Sequence, residues 1–146
     1  MENDKKLSRI LVPVDGSEGS NRAIAMASAI AEGTGATLYL LHVSYFDRTT
    51  DDVTESWLPS SITAPAGREE EEILTRARQL IPDTVTVECH HRTGTPAEEI
   101  LSFTEEHHVD LIVIGGRKLG LVEGFFAGSV SREILKSAPV SVLLAR

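Results

Sequence analysis

Two short stretches of this 146-residue chain combine glycines with small polar residues in a way that suits holding an anion. The first, Pro13-Val14-Asp15-Gly16-Ser17, closes an apolar run and leads into a helical pattern. The second begins at Gly115-Gly116-Arg117-Lys118 and ends at Gly128-Ser129-Val130. Glycines allow backbone N–H groups to approach a ligand closely, and the first turn of a helix leaves donors unpaired at its positive dipole end. The chemistry this predicts is the grip of phosphate oxygens, not the breaking of a bond. No G-x-S-x-G elbow, H-E-x-x-H helix or Walker pattern is present, and the Asp, His and Ser residues suggest no triad, so no catalytic residue is assigned.

Each of these residues also has a plainer reading. Asp15 before Gly-Ser can act only as a helix cap, and Ser129 can do the same for the last helix. Arg117 and Lys118 can be a solvated pair. His90-His91 on a strand point to opposite faces, and His107-His108 near a helix end lie about 100° apart, so neither pair chelates a metal. These four are expected at the surface, and His42 in the core or at a strand end. Cys89, the single cysteine, excludes an internal disulfide and a C-x-x-C site.

The elements that must position the two stretches follow from hydrophobic periodicity. Ile10 to Val14 and Thr37 to Val43 are apolar runs of buried-strand type, separated by a helix with apolar Ala23, Ile24, Ala27, Ile30 and Ala31 that Gly33 and Gly35 stop. Residues 44–67 lose all periodicity and predict a flexible surface loop. A helix over Arg68 to Leu80 follows, then an alternating strand from Thr84 to His91 expected at a sheet edge. Thr95-Pro96-Ala97-Glu98 has the form of a capping box, opening a helix to about His107. Asp110 to Gly115, a helix from about Ser129 to Ser137, and Val140 to Leu144 complete the alternation.

Strands and helices alternating in this way predict one α/β domain over residues 1–146: a doubly wound, Rossmann-like, five-stranded parallel sheet with helices on both faces. With strand order 3-2-1-4-5, the ends of strands one and four are neighbours at the switch point, where such sheets bind ligands. The two glycine-bearing stretches then form one site.

Bulk properties narrow the partners. A net charge of −8 has the wrong sign for a nucleic-acid backbone or an anionic membrane. No apolar run approaches a membrane span, and the polar start lacks a signal-peptide core, so the expected location is the cytoplasm.

The motifs ILVPVDGSE (Ile10 to Glu18), LLHV, GTPAEEIL, DLIVIG, GSVSREIL and APVSVLL, in this order, resemble the universal stress proteins. The resemblance covers almost the whole chain and implies an adenine nucleotide alpha hydrolase-like fold, a stress-response role and a homodimer through Val140 to Leu144. Members that bind ATP carry glycine, two residues, glycine, nine residues, then glycine and Ser or Thr. Gly115, Gly128 and Ser129 match this spacing, but Lys118 occupies the second glycine position.

By similarity, Pro13, Val14 and Asp15 border adenosine, with Val43 meeting adenine. Ile114, Gly115, Gly116, Arg117 and Lys118 pass under the ribose and phosphates, and Gly128, Ser129 and Val130 close on the phosphates. The implied cofactor is ATP, with or without Mg2+. A left-handed backbone at Lys118 costs roughly 1–2 kcal/mol, while an ammonium-to-phosphate bond returns roughly 1.5–3 kcal/mol. Three functions therefore stand side by side: a nucleotide-responsive regulator of another protein, a module of the same fold with a closed cleft, and a slow ATP hydrolase.

Overall fold

In the computed structural model, residues 6–45, 71–116 and 128–146 are described. They form strands β1 (Arg9–Pro13), β2 (Thr37–Tyr45), β3 (Val87–Gly94), β4 (Leu111–Gly115) and β5 (Ser141–Ala145). Between them lie helices α1 (Glu18–Thr34), α2 (described over 71–79), α3 (Pro96–Glu106) and α4 (Gly128–Ser137). The five strands are parallel and ordered β3-β2-β1-β4-β5, as the alternation predicts.

Because successive strand side chains point to opposite faces, each continuous apolar run feeds two cores. Ile10, Val12, Leu38, Leu40, Leu111 and Val113 pack under α1 and α2, against Ala23, Ile24, Ala27 and Ala77. Leu11, Tyr39, Leu41, Ile112 and Ile114 pack on the other side against Ala97, Ile100 and Phe103 of α3 and Ile134 of α4. Both faces of the sheet are thus covered by helices. Among the described residues, no helix is long and apolar enough to cross a membrane.

The central pair β1 and β4 is fastened where it begins. One carboxylate oxygen of Asp110 accepts from the backbone N–H groups of Ser8 at 2.9 Å and Arg9 at 3.0 Å. Asp110 also donates its own N–H to the Arg9 carbonyl at 2.8 Å. This ties the strands together immediately before their shared register begins at Ile10 and Leu111.

Several boundaries differ from the sequence reading. The third strand starts at Val87, not Thr84, and runs on to Gly94, because its register is set by β2, with which it pairs from Leu38–Val87 to Tyr45–Gly94. For the same reason Ser44 and Tyr45, expected in the loop, belong to β2; the rest of that expected loop, residues 46–67, lies outside the described residues. As expected, β3 is at an edge. Gly33 lies within α1, and the stop is Gly35, whose φ of 79° suits a left-handed C-cap.

Two capping assignments are corrected. Ser17, not Asp15, caps α1, its hydroxyl accepting from the Ser20 N–H at 3.2 Å. Asp15 instead closes the preceding turn, accepting from the Ser17 N–H at 2.9 Å. At α3, Thr95 holds the N-cap position with no side-chain cap bond. Pro96 in the first turn brings no N–H to be satisfied.

Candidate functional site

Beyond the carboxyl ends of β1 and β4 the sheet opens into a cleft of about 580 Å3. The position is the one topology dictates: β1 leads to α1 on one face, β4 leads towards α4 on the other, and the chain ends diverge between them. The volume falls in the range that small-molecule ligands occupy.

The floor of the cleft is apolar. Val14 comes from the end of β1, Leu41 and Val43 from β2, Ile114 from β4, Pro96 and Ile100 from α3, and Ile134 from α4. Val14, Leu41, Ile100, Ile114 and Ile134 are all buried. Such a surface suits a flat heterocycle, which gains by leaving water on both sides.

The rim is polar. Asp15, Ser17 and Glu18 stand at the α1 side, and Ser129 and Ser131 come from the first turn of α4. Ser129 is the second residue of that helix and not its cap, so the first turn of α4, whose N–H groups have no acceptor within the helix, borders the same space. Asp15 is exposed, and only one of its carboxylate oxygens is used in the turn among the described residues. The other is available to a hydroxyl or amino donor. Apolar floor and polar rim together suit a small molecule with a flat apolar part and a polar part. Among the described residues, no group of three His, Cys, Asp or Glu could hold a metal ion.

One contact shapes this region more than any other. A Cβ built on Gly115 would fall on the carbonyl group of Gly19 and lie 2.9 Å from its Cα. Real side chains do not tolerate that separation from backbone. Gly115 therefore allows the start of α1 to lie directly on the end of β4. Gly116 follows, donating its N–H to the Ala145 carbonyl at 2.9 Å and accepting at its own carbonyl from Arg22 Nη2 at 2.7 Å.

The structure brings Pro13, Val14, Asp15, Val43, Ile114, Gly115, Gly116, Ser129 and Val130 to one cleft. Gly128 opens α4 immediately before Ser129, and Arg117 and Lys118 lie outside the described residues. Sequence reasoning missed the contribution of α1, namely Glu18, Gly19 and Arg22, and the apolar wall from Pro96, Ile100 and Ile134. The signal for α1 was present: Glu18 and Arg22 are four apart, hence on one helical face, and that face begins where β1 ends.

A second cluster lies away from the cleft, over β3 and α3. The His107 ring stacks on Phe103 at 3.9 Å between centroids, and His90 meets both, at 5.0 Å from Phe103 and 5.2 Å from His107. Tyr39 closes the group, and Arg92 lies over the Phe103 ring while pairing with Glu106. His90 and His107, expected at the surface, are therefore partly sheltered, because rings from β3 and α3 meet on one face of the sheet. Loss of hydration holds the His107 imidazole below its ordinary value, with nearby His90 and Arg92 adding to the effect. His91 and His108 are exposed, as expected, and His42 is buried.

Residues 6–146 match the model of the universal stress protein family. The chain is 35% identical over 138 residues to a universal stress protein of Thermus aquaticus encoded in the QAH/OAS sulfhydrylase 3' region, covering 94% of this chain and 97% of that one. Among solved structures, it resembles protein MJ0577 with a TM-score of 0.72 and 26% identity, over 97% of this chain and 96% of the other. It also shares its fold with a universal stress protein of Archaeoglobus fulgidus solved in complex with dAMP, at a TM-score of 0.68 and 24% identity, over 95% of this chain and 98% of that one. With its five-stranded order and a family match over nearly its whole length, the chain belongs to the universal stress protein family.

Proposed function

We propose that this chain is an adenine-nucleotide-binding regulator that responds to stress by altering its association with another protein in the cytoplasm. The observation that carries the reading is the cleft itself. Val14, Leu41 and Val43 offer an apolar seat for the base, beside the Asp15 carboxylate, while the first turn of α4 presents donors to phosphates. The dAMP complex of the Archaeoglobus fulgidus relative supports an adenine nucleotide as the ligand. Pro13, Val14, Asp15 and Val43 hold the adenosine; Ile114, Gly115, Gly116, Arg117, Lys118, Gly128, Ser129 and Val130 carry the ribose and phosphates. ATP, with or without Mg2+, is the first candidate. With no residue assigned as a general base or metal clamp, the proposed function is binding and not turnover.

Thermal melting with ATP tests this. A ligand of the folded state at 100 times its Kd adds about 2.7 kcal/mol, which for a domain of this size raises Tm by about 5–10 °C. No shift with millimolar ATP or AMP, in magnesium or without it, would count against the reading. One observation favours the alternative of a module with no nucleotide: Gly115 is required by its packing on Gly19 whether or not a ligand binds. Lys118→Gly separates the two. A gain of ATP-induced stabilisation in the variant, absent from the parent, would establish the closed-cleft reading.

The same proposal includes a homodimer formed through the last strand, Val140 to Leu144. β5 is at an edge of the sheet, and Val142 and Leu143 in it are only partly covered. Light scattering at micromolar concentration is expected to give twice the 15.8 kDa chain mass; a monomer would refute it. Pairing by β5 leaves the cleft open.

A further inference from the structure

Arg22 enters the cleft from α1 with an unusual balance of bonds. Its Nη2 donates to the Gly116 carbonyl at 2.7 Å, while its Nε is buried and has no acceptor among the described residues. Glu18, one turn earlier on the same face, also lines the cleft. A buried N–H of a charged group left without an acceptor is costly, and a guanidinium presents Nε and Nη2 as adjacent parallel donors, a geometry that matches two oxygens of one phosphate.

We propose that Arg22 is the anion-selecting residue of the cleft: it makes the site take phosphorylated adenosine in preference to adenosine itself. The inference rests on the nucleotide reading above and adds to it a residue and a specificity. A phosphate at the Gly115–Gly116 end supplies the acceptor that Nε lacks once the guanidinium turns towards it. Approached from the other face of the sheet, the same anion meets the first turn of α4, so the ligand is held between a side-chain cation and a helix end. The uncharged nucleoside brings no phosphate oxygens to either group.

Titration calorimetry of ATP, AMP and adenosine against the full chain, with the variants Arg22→Met, Arg22→Gln and Arg22→Lys, tests this. Arg22→Met and Arg22→Gln are expected to weaken ATP and AMP roughly 10-fold to 100-fold and to leave adenosine within about twofold. Arg22→Lys should recover part of the loss, because it keeps the charge without the paired donors. Lys also keeps a donor long enough to approach the Gly116 carbonyl, so a nucleotide-selective loss that Lys only partly recovers cannot come from the backbone bond alone. Equal weakening of adenosine and the nucleotides would overturn the proposal by making Arg22 a support for the cleft's shape. Unchanged nucleotide affinity in variants that melt like the parent would overturn it as well. If the unmodified chain binds no nucleotide at all, the proposed function falls first, and this inference with it.

Discussion

Gly115→Ala is expected to destabilise the fold by about 3 kcal/mol, lowering Tm by roughly 6–12 °C. The added methyl group would occupy the space of the Gly19 carbonyl, and its neighbour there is backbone, not a side chain able to rotate away. Relief requires the first turn of α1 to lift off the end of β4. That movement also separates residues from α1 and β4 on the two sides of the cleft, so ligand-induced stabilisation should fall with the melting point. Gly33→Ala is the control. It sits within α1, where an added methyl group meets nothing within 4 Å, and should gain roughly 0.5–1 kcal/mol through helix propensity. Gly116→Ala should fall between them, since the nearest atoms among the described residues belong to the flexible Leu144 side chain, at 3.4 Å. A Gly115→Ala protein as stable as the parent would show that α1 does not rest on β4 as described.

Phe103→Ala should cost about 3–5 kcal/mol, the range for removing a buried aromatic side chain. Phe103 is fully buried and forms the base on which His90, His107 and Tyr39 assemble. The same change should move the His107 imidazole up towards 6.5, because loss of hydration is the first cause of its lowered value. The sign of the pH effect follows. A histidine whose folded value lies below 6.5 is protonated first in the unfolded chain, so stability present above about pH 6.5 declines as pH falls through the folded value. In Phe103→Ala that decline should become shallower. Urea melts between about pH 7.5 and 5, with imidazole titration by NMR, would check both parts. An unchanged His107 titration in a folded variant would show that charge repulsion from His90 and Arg92, and not shelter by Phe103, sets the value.

Local rules govern the part of the molecule that is legible in the sequence. The order of elements, the two-sided burial of the apolar runs and the meeting of Pro13-Val14-Asp15 with Gly115 and Ser129 all follow from periodicity and the switch-point rule. The rest depends on contacts between distant segments. In the sequence Gly115 reads as a glycine reserved for a ligand, yet its immediate reason is the carbonyl of Gly19, far away along the chain. Arg22 reads as one more polar residue on a helix, and only the path of the chain after β4 gives its guanidinium a partner at Gly116. His90 and His107 illustrate the same point, for each has a histidine beside it in sequence and meets its real neighbour between strand and helix. Capping differs in kind: Asp15 and Ser17 are both suitable caps by type, and the choice between them depends on where β1 ends.

The two margins of the sheet are chemically unlike. β3 carries Glu88, His90 and Arg92, engaged in ion pairs and ring contacts, whereas β5 presents Val142, Leu143 and Leu144. A polymer of such sheets would need the two margins to accept one another, head to tail, without limit. In the proposed dimer the charged margin would discourage a further strand, and the apolar one would be satisfied by its own copy about a two-fold axis, so growth would stop at a pair.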